Sequence, residues 1–196
     1  MERFSAEWEI GKIYSTIQNG SLVALRDNSA VGFLVCSALD PDGIQRAFQL
    51  KGKEQSNPLV LYCSNLSMVQ KFTNPSKLTH QAYCLCEQLW PSMAITLLPV
   101  AKSIPAAVCC GIQETGFCCP TSRFLRQLSG LLQAPLVLVA IDRDIIDEKS
   151  TEIGGLVEDF TAFPPHEAVI IDCREGLRRI EGTASTILEL PIINGT

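Results

Sequence analysis

At 196 residues, with 46% apolar and 19% charged side chains, the chain has the length of one globular domain with a sizeable core, and it is too apolar for disorder. Its net charge of −5, with lysines and arginines dispersed, excludes broad electrostatic capture of nucleic acid, though a local basic cleft remains open. No window of about 18 apolar residues occurs and "MERFSAEWEIG" has no basic start followed by an apolar run, so neither a membrane span nor a signal peptide is expected, and the protein is expected in the cytoplasm.

The first element is a helix expected from about Ala6 to Gln18, with Ile10, Ile13, Tyr14 and Ile17 on one face and Asn19-Gly20 as its stop. "SLVALR" and "AVGFLVC" read as two strands around the polar Asp27, Asn28 and Ser29. Asp40 followed by Pro41 is an N-cap with proline at the first helical position, and Ile44, Ala47 and Phe48 supply the apolar stripe of the helix that follows. That helix ends at two lysines flanking a glycine, in "LKGKEQSNPLVLY".

Beyond it the pattern predicts a strand at Pro58 to Cys63 and helices at Leu66 to Phe72 and Ser76 to Leu89. Strands at Ile95 to Val100 and Gly116 to Cys119 precede a helix at Ser122 to Leu132 and the apolar strand "PLVLVAI" at 135 to 141. A last helix is expected from Ser150, where "STEI" offers a loose capping box, and strands at Ala168 to Asp172 and Ser185 to Leu190 close the chain. Alternating strands and helices, several of the strands continuously apolar, make this an α/β protein, a single domain over residues 1–196 with a twisted mixed sheet and flanking helices.

Nine cysteines in a chain without a secretory signal read as reduced thiols, mostly small core residues. Cys84, Cys86 and the pairs Cys109-Cys110 and Cys118-Cys119 raise the question of zinc. Without a C-x-x-C spacing, and with only His80 and His166 as histidines, no structural metal is expected.

The lysine pair admits two readings. A lysine at a helix end is a compact, mobile donor suited to a polyanion such as a phosphate chain. Equally, two lysines near a helix C-terminus complement its dipole and stay solvated.

Four segments together resemble the YrdC family of threonylcarbamoyl-adenylate synthases: "GSLVALRDNSAVGFLVCSAL" is similar to its Gly-Gly-x-x-x-x-Pro-Thr-Asp-Thr-Val-Tyr-Gly-Leu start, and "LKGKEQSNPLVLY" to its Lys-Gly-Arg-x-x-x-x-Pro-Leu segment. "LWPSMAITLLP" resembles its Trp-Pro-Gly-Pro-x-Thr-x-x-Leu and "GTASTILEL" its Glu-Ser-Thr-Val-Val-Asp end, in the same order and spacing. The resemblance implies a YrdC-like fold and a synthase that joins ATP, bicarbonate and L-threonine, with Mg²⁺, for tRNA threonylcarbamoyl-adenosine modification. By that resemblance Lys51 and Lys53 face ATP phosphates, with Ser29 and Ser185 also nucleotide-binding. Tyr62, standing where the family often has histidine, and Thr186 are then substrate-binding.

Several positions depart from the family pattern. Lys53 stands for its arginine, keeping charge but losing the planar fork. Only Ser29 and Gly32 survive from Pro-Thr-Asp-Thr-Val-Tyr-Gly, with Val31 in place of the tyrosine. The arginine that the family directs at the threonine carboxylate falls on Cys118, with Pro120 in register, and a thiol offers no bidentate cationic grip. The Ser-Ala-Asn segment becomes Ala140, Ile141 and Asp142, which adds negative charge where phosphates are expected. Arg123, Arg126 and Arg143 lie near these positions in sequence and could compensate, or could be solvated surface charges. Ser185 and Thr186 also have a plain reading as β-propensity.

Three functions stay open. One is an active nucleotidyltransferase. A second is a diverged YrdC-like protein with a nucleotide- or RNA-binding cleft and weakened or lost catalysis, its partners being ATP, tRNA or double-stranded RNA, or proteins of the threonylcarbamoylation pathway. The third is an unrelated α/β protein-interaction module. Losing the arginine and several polar contacts favours the second, since each hydrogen bond to a charged group contributes about 1.5 to 3 kcal/mol.

Overall fold

The computed structural model describes residues 1–4, 9–26, 31–78, 80–158 and 160, together with the backbone of 169–172 and 178–181. In chain order the elements are β1 Glu2–Phe4, α1 Ile10–Gln18, β2 Val23–Arg26, β3 Val31–Ser37, α2 Pro41–Lys51, β4 Leu61–Tyr62, α3 Leu66–Phe72 and α4 His80–Leu89. β5 Ile95–Pro99, α5 Ala106–Cys109, β6 Glu114–Cys118, α6 Arg123–Leu132, β7 Leu136–Asp142, α7 Arg143–Glu148, β8 Gly155–Val157, β9 Val169–Asp172 and β10 Arg178–Glu181 follow.

Among the described residues the strands form one mixed sheet ordered β1-β8-β2-β3-β7-β4-β6-β5-β9-β10. Its backbone is the long antiparallel pairing of β3 with β7, from Val31↔Asp142 to Ser37↔Leu136. Alternation sorts the side chains onto two faces. Leu34, Cys36, Val137, Val139 and Ile141 share one apolar cluster with residues of α2, α3 and α5, while Val35, Leu136 and Leu138 share the other with residues of α1 and α6. The sheet is thus covered on both sides, which is why β7 reads as a continuous apolar run. Each large aliphatic side chain so buried contributes about 1.5–3 kcal/mol.

Helix α2 shows how local sequence positions the later site. The Asp40 carboxylate accepts a hydrogen bond from the Gly43 N–H at 2.9 Å, Pro41 occupies the first turn, and a Cβ at position 43 would collide with that same carboxylate. At the other end Gly52 takes φ 69°, its N–H reaching the Gln49 carbonyl at 3.1 Å, and the Lys53 N–H reaches the Phe48 carbonyl at 3.4 Å.

Some expectations change. The strand expected over Pro58 to Cys63 pairs only at Leu61–Tyr62, because Pro58 has no N–H and the Leu59 N–H is taken by the Val108 carbonyl. Residues 74–78 form a turn, so α4 starts at His80 rather than Ser76. No helix begins at Ser150. The helix is α7, which follows β7 at once with Asp142 as its N-cap, and residues 150–152 are a turn before β8. The expected start of the first helix at Ala6 and the strand at Ser185 to Leu190 lie outside the described residues. No described helix is long and apolar enough to cross a membrane.

Candidate functional site

The two lysines are set by the end of α2. Lys51 occupies its last turn, half-buried, with Nζ 5.9 Å from the centroid of the Phe48 ring. Gly52 then reverses the chain and Lys53 lies exposed beyond it. Both line a cavity of about 110 Å³ whose opposite wall is Leu138, Val139 and Ala140 of β7 and whose rim includes Glu54, Ser56 and Asn57. The clamp and the Ala140 segment, 89 positions apart in sequence, therefore meet in one cavity. That volume suits a phosphate group rather than a whole nucleotide, since small-molecule pockets start at about 300 Å³.

The electrostatics are mixed. The carbonyl pole of α2 disfavours an anion, and the two ammonium groups offset it. Glu54 adds a negative charge to the same rim. Arg26, whose strand β2 ends beside Gly32, contributes no further cation to a ligand. Its side chain is 11% exposed, and the guanidinium is bound to Asp147 Oδ1 at 2.7 Å and Glu158 Oε1 at 2.6 Å. Asp142 closes β7, exposed, opposite the exposed Val31.

A second group of family-matched positions lies at the middle of the sheet and has a different character. Tyr62 of β4 pairs with Cys118 of the parallel β6 and with Leu136 of β7. Its phenol is buried, and burial pushes its pKa upward, with nearby Cys118 adding to the shift. Cys118 is 0% exposed. Its thiol donates to the Ser92 carbonyl at 3.4 Å, so the turn after the cis Trp90–Pro91 peptide packs over it. That turn is itself pinned, by the Ser92 N–H to the Cys119 carbonyl at 2.9 Å and by Trp90 Nε1 to the Ala94 carbonyl at 2.7 Å. Desolvation also raises the Cys118 thiol, with Cys119 contributing next.

Of the six residues singled out from sequence, Lys51 and Lys53 share the cavity, and Tyr62 sits in the core beside Cys118 instead of lining it. Ser29, Ser185 and Thr186 lie outside the described residues. Arg123 and Arg126 do not reach the clamp cavity; they line another, between α3 and α6. Phe48, Ser56 and Asn57 were not singled out. Phe48, one helical turn before Lys51, is the one that spacing could have flagged. The eight cysteines among the described residues are free thiols, and no group of three or more His, Cys, Asp or Glu side chains suited to a metal occurs among those residues.

The Sua5/YciO/YrdC family profile, described as "Telomere recombination", matches residues 15–191. A threonylcarbamoyl-AMP synthase of Pyrococcus abyssi is 25% identical over 185 residues, covering 94% of this chain and 51% of the relative. One of Bacillus subtilis is 27% identical over 82 residues, 38% of this chain and 23% of the relative. The chain thus spans about half the length of the P. abyssi relative, and its match to the B. subtilis one covers less than a quarter of that protein. Among solved structures, P. abyssi Sua5 complexed with L-threonine superposes with a TM-score of 0.74 at 21% identity, over 92% of this chain and 56% of that one. Escherichia coli YciO superposes with a TM-score of 0.69 at 14% identity, over 95% and 97%.

Proposed function

This chain belongs to the Sua5/YciO/YrdC family, and from that premise we propose that it is a diverged YrdC-like protein: it keeps a phosphate-binding nucleotide cleft at Lys51 and Lys53 and has weakened or lost threonylcarbamoyl-adenylate chemistry. The observation that carries the second half is Cys118. Where the family pattern has an arginine for the threonine carboxylate, this chain has a thiol with no exposed surface, bonded to the Ser92 carbonyl. A carboxylate entering that region would be desolvated without a counter-charge, an arrangement that disfavours binding by several kcal/mol.

What supports the first half is the convergence of Lys51, Lys53 and Ala140 on one phosphate-sized cavity. Lysines fit such a group as mobile point charges, each able to follow different phosphate oxygens. Mg²⁺ would arrive with ATP and share the neutralisation of its phosphates. Ser29 and Ser185 remain the further nucleotide contacts of this reading, and Thr186 with Tyr62 the vestige of its substrate side. Proteins of the tRNA threonylcarbamoylation pathway are the partners it implies.

The test has two measurements on purified protein. With ATP, bicarbonate, L-threonine and Mg²⁺, pyrophosphate release and threonylcarbamoyl-adenylate are expected near background; robust turnover overturns the loss of chemistry. By calorimetry, ATP binds weakly and salt-sensitively, with little enhancement by L-threonine. Lys51→Ala weakens ATP binding by about 1–3 kcal/mol, the range for a hydrogen-bonding charge on a phosphate. Lys102→Ala, on an exposed residue away from the cavity, leaves it unchanged. Equal losses from both substitutions mean nonspecific charge and remove the cleft.

A further inference from the structure

Away from the clamp, three cations of the described residues gather in the cavity between α3 and α6. It has a volume of about 650 Å³ and shares no lining residue with the clamp cavity. The two also open toward different ends of the sheet. Ser64 and Asn65 follow β4 and Gln133 precedes β7, whereas Ala140 is near the far end of β7. Lys71 of α3 and Arg123 and Arg126 of α6 converge on it, and among the described residues none of its lining side chains is acidic.

In a chain of net charge −5, three cations grouped without an acid are unusual company. Five other cations, Arg3, Lys12, Arg26, Arg46 and Lys149, lie within ion-pair distance of carboxylates. Lys71, Arg123 and Arg126 make no ion pair with any described residue. The Nε atom of Arg126 is buried and has no hydrogen-bond partner among the described residues, so one donor of the guanidinium has been taken from water without compensation there. Such an atom costs free energy until an acceptor reaches the group, and bringing like charges together raises that cost.

The geometry points to a second ligand site here, one that takes a phosphate-bearing, polyhydroxylated small molecule. The cations supply the phosphate grip, with Arg126 and Arg123 offering planar forks and Lys71 a point charge held 5.1 Å from the Phe72 ring centroid. Around them the Ser67 hydroxyl and the Asn65 and Gln127 amides supply the mixed donors and acceptors that sugar hydroxyls need. Asn65 Oδ1 already accepts the Met68 N–H at 2.9 Å, so its amide NH₂ is oriented by that bond rather than swinging freely. The volume falls inside the range of about 300–1,000 Å³ that holds small ligands. A nucleic-acid strand is the poorer fit. Among the described residues no aromatic ring lines the cavity to stack a base, and the cations converge on one point instead of tracking a backbone. The proposal stands independently of the clamp, because it uses none of the clamp's residues.

Amide-resolved NMR of the whole chain separates the two sites. Titration with ribose 5-phosphate is expected to shift the amides of Lys71, Gln127 and Gly130 saturably, inorganic phosphate to shift them more weakly, and ribose alone not to shift them. Arg126→Gln raises the dissociation constant read at these amides by about tenfold or more, and Arg126→Lys recovers part of it. Lys71→Ala, on an exposed residue that does not support the core, raises it by about threefold and carries the test should Arg126→Gln fail to fold. Lys51→Ala leaves these shifts unchanged, so failure here and failure of the nucleotide cleft are read at different residues. The proposal is overturned if no saturable shift develops at tens of millimolar ribose 5-phosphate, or if Arg126→Gln and Lys71→Ala leave the affinity unaltered. It is overturned equally if only a single-stranded RNA oligonucleotide, and not the sugar phosphate, perturbs these amides.

Discussion

The clamp end of the sheet and its centre carry matched parts of one family pattern, yet they depart from it in opposite ways. At the clamp end a charge survives: Lys51 and Lys53 still border a cavity against Leu138–Ala140. At the centre the polar group has been absorbed, and Cys118 and Tyr62 are members of the apolar cluster that also holds Ile95, Leu125, Leu128 and Leu136. On the function proposed above, the difference means that a binding site need not decay uniformly. A solvent-facing cation can outlast its partner site because keeping it costs little, whereas a buried arginine that no longer meets a carboxylate is strongly unfavourable and is replaced.

The sharpest way to break this comparison is to put the arginine back. Cys118→Arg places a guanidinium where the thiol has no exposed surface and the Ser92 turn lies over it. It is expected to lower the unfolding free energy by about 3–5 kcal/mol, the cost of an unpaired buried charge, as a reduced midpoint in guanidinium denaturation. An unchanged midpoint accompanied by new L-threonine binding would mean that the centre is still an open substrate site.

Alkaline stability tests the same buried centre without changing a residue. Burial raises the thiol of Cys119 to about 12 from its ordinary 9.0, Cys86 adding to the shift and Arg126 opposing it, and burial likewise raises Cys118 and Cys63. A folded pKa above the unfolded one means that the native thiol holds its proton while the unfolded one releases it. The stabilisation is therefore complete below pH 9 and is lost as pH rises from 9 towards 12. Each such thiol steepens the fall by up to about 1.4 kcal/mol per pH unit. Cys119→Ala flattens the slope of unfolding free energy against pH in that window. A slope insensitive to this change shows that water reaches the centre.

At the clamp end the corresponding structural test is Arg26→Gln. The arginine side chain is 11% exposed but its partners Asp147 and Glu158 are 58% and 36% exposed, so the loss is tempered by solvent to about 2 kcal/mol. If ATP binding survives the substitution, Arg26 serves only to tie β2 to the segments that carry Asp147 and Glu158. A loss of ATP affinity larger than that from Lys51→Ala would assign the phosphate grip to Arg26 instead.

What sequence reveals of these two regions follows from the range of the forces involved. Helix α2 was legible to the residue, because Asp40, Pro41 and Gly52 act within one turn of their own position. The centre's burial was not legible. It depends on Ser92 reaching Cys118 across 26 positions, and a cysteine has the same letter in a core as in a cleft. The helix expected at Ser150 failed for a related reason. α7 starts directly on the last strand residue, Asp142, whose side chain makes no capping bond, so no local signal separated strand from helix. β1 and β8 were missed because strands of three residues are defined by their parallel partners rather than by their own pattern. The arginines of α6 were visible as charges, but their destination, a cavity with Lys71, is set by the packing of α3 against α6.

The smallest expected effect falls on Lys53, and its sign is informative. The family pattern has an arginine there, whose fork can hold two phosphate oxygens at once, while a lysine offers a single compact charge. Lys53 is exposed just beyond the left-handed Gly52, so either side chain is largely solvated and the gain from a fork is limited. Lys53→Arg is therefore expected to tighten ATP binding by about 0.5 kcal/mol, close to twofold, with a salt dependence nearly unchanged because the charge is the same. The comparison survives that outcome: the clamp end is then a working phosphate site with a weakened grip. Weaker binding would mean that Lys53 has been fitted to this cavity as a lysine and that Glu54 and Asn57 beside it have adjusted accordingly. No change in affinity, together with a full loss from Lys51→Ala, would leave Lys51 as the sole phosphate contact of the pair.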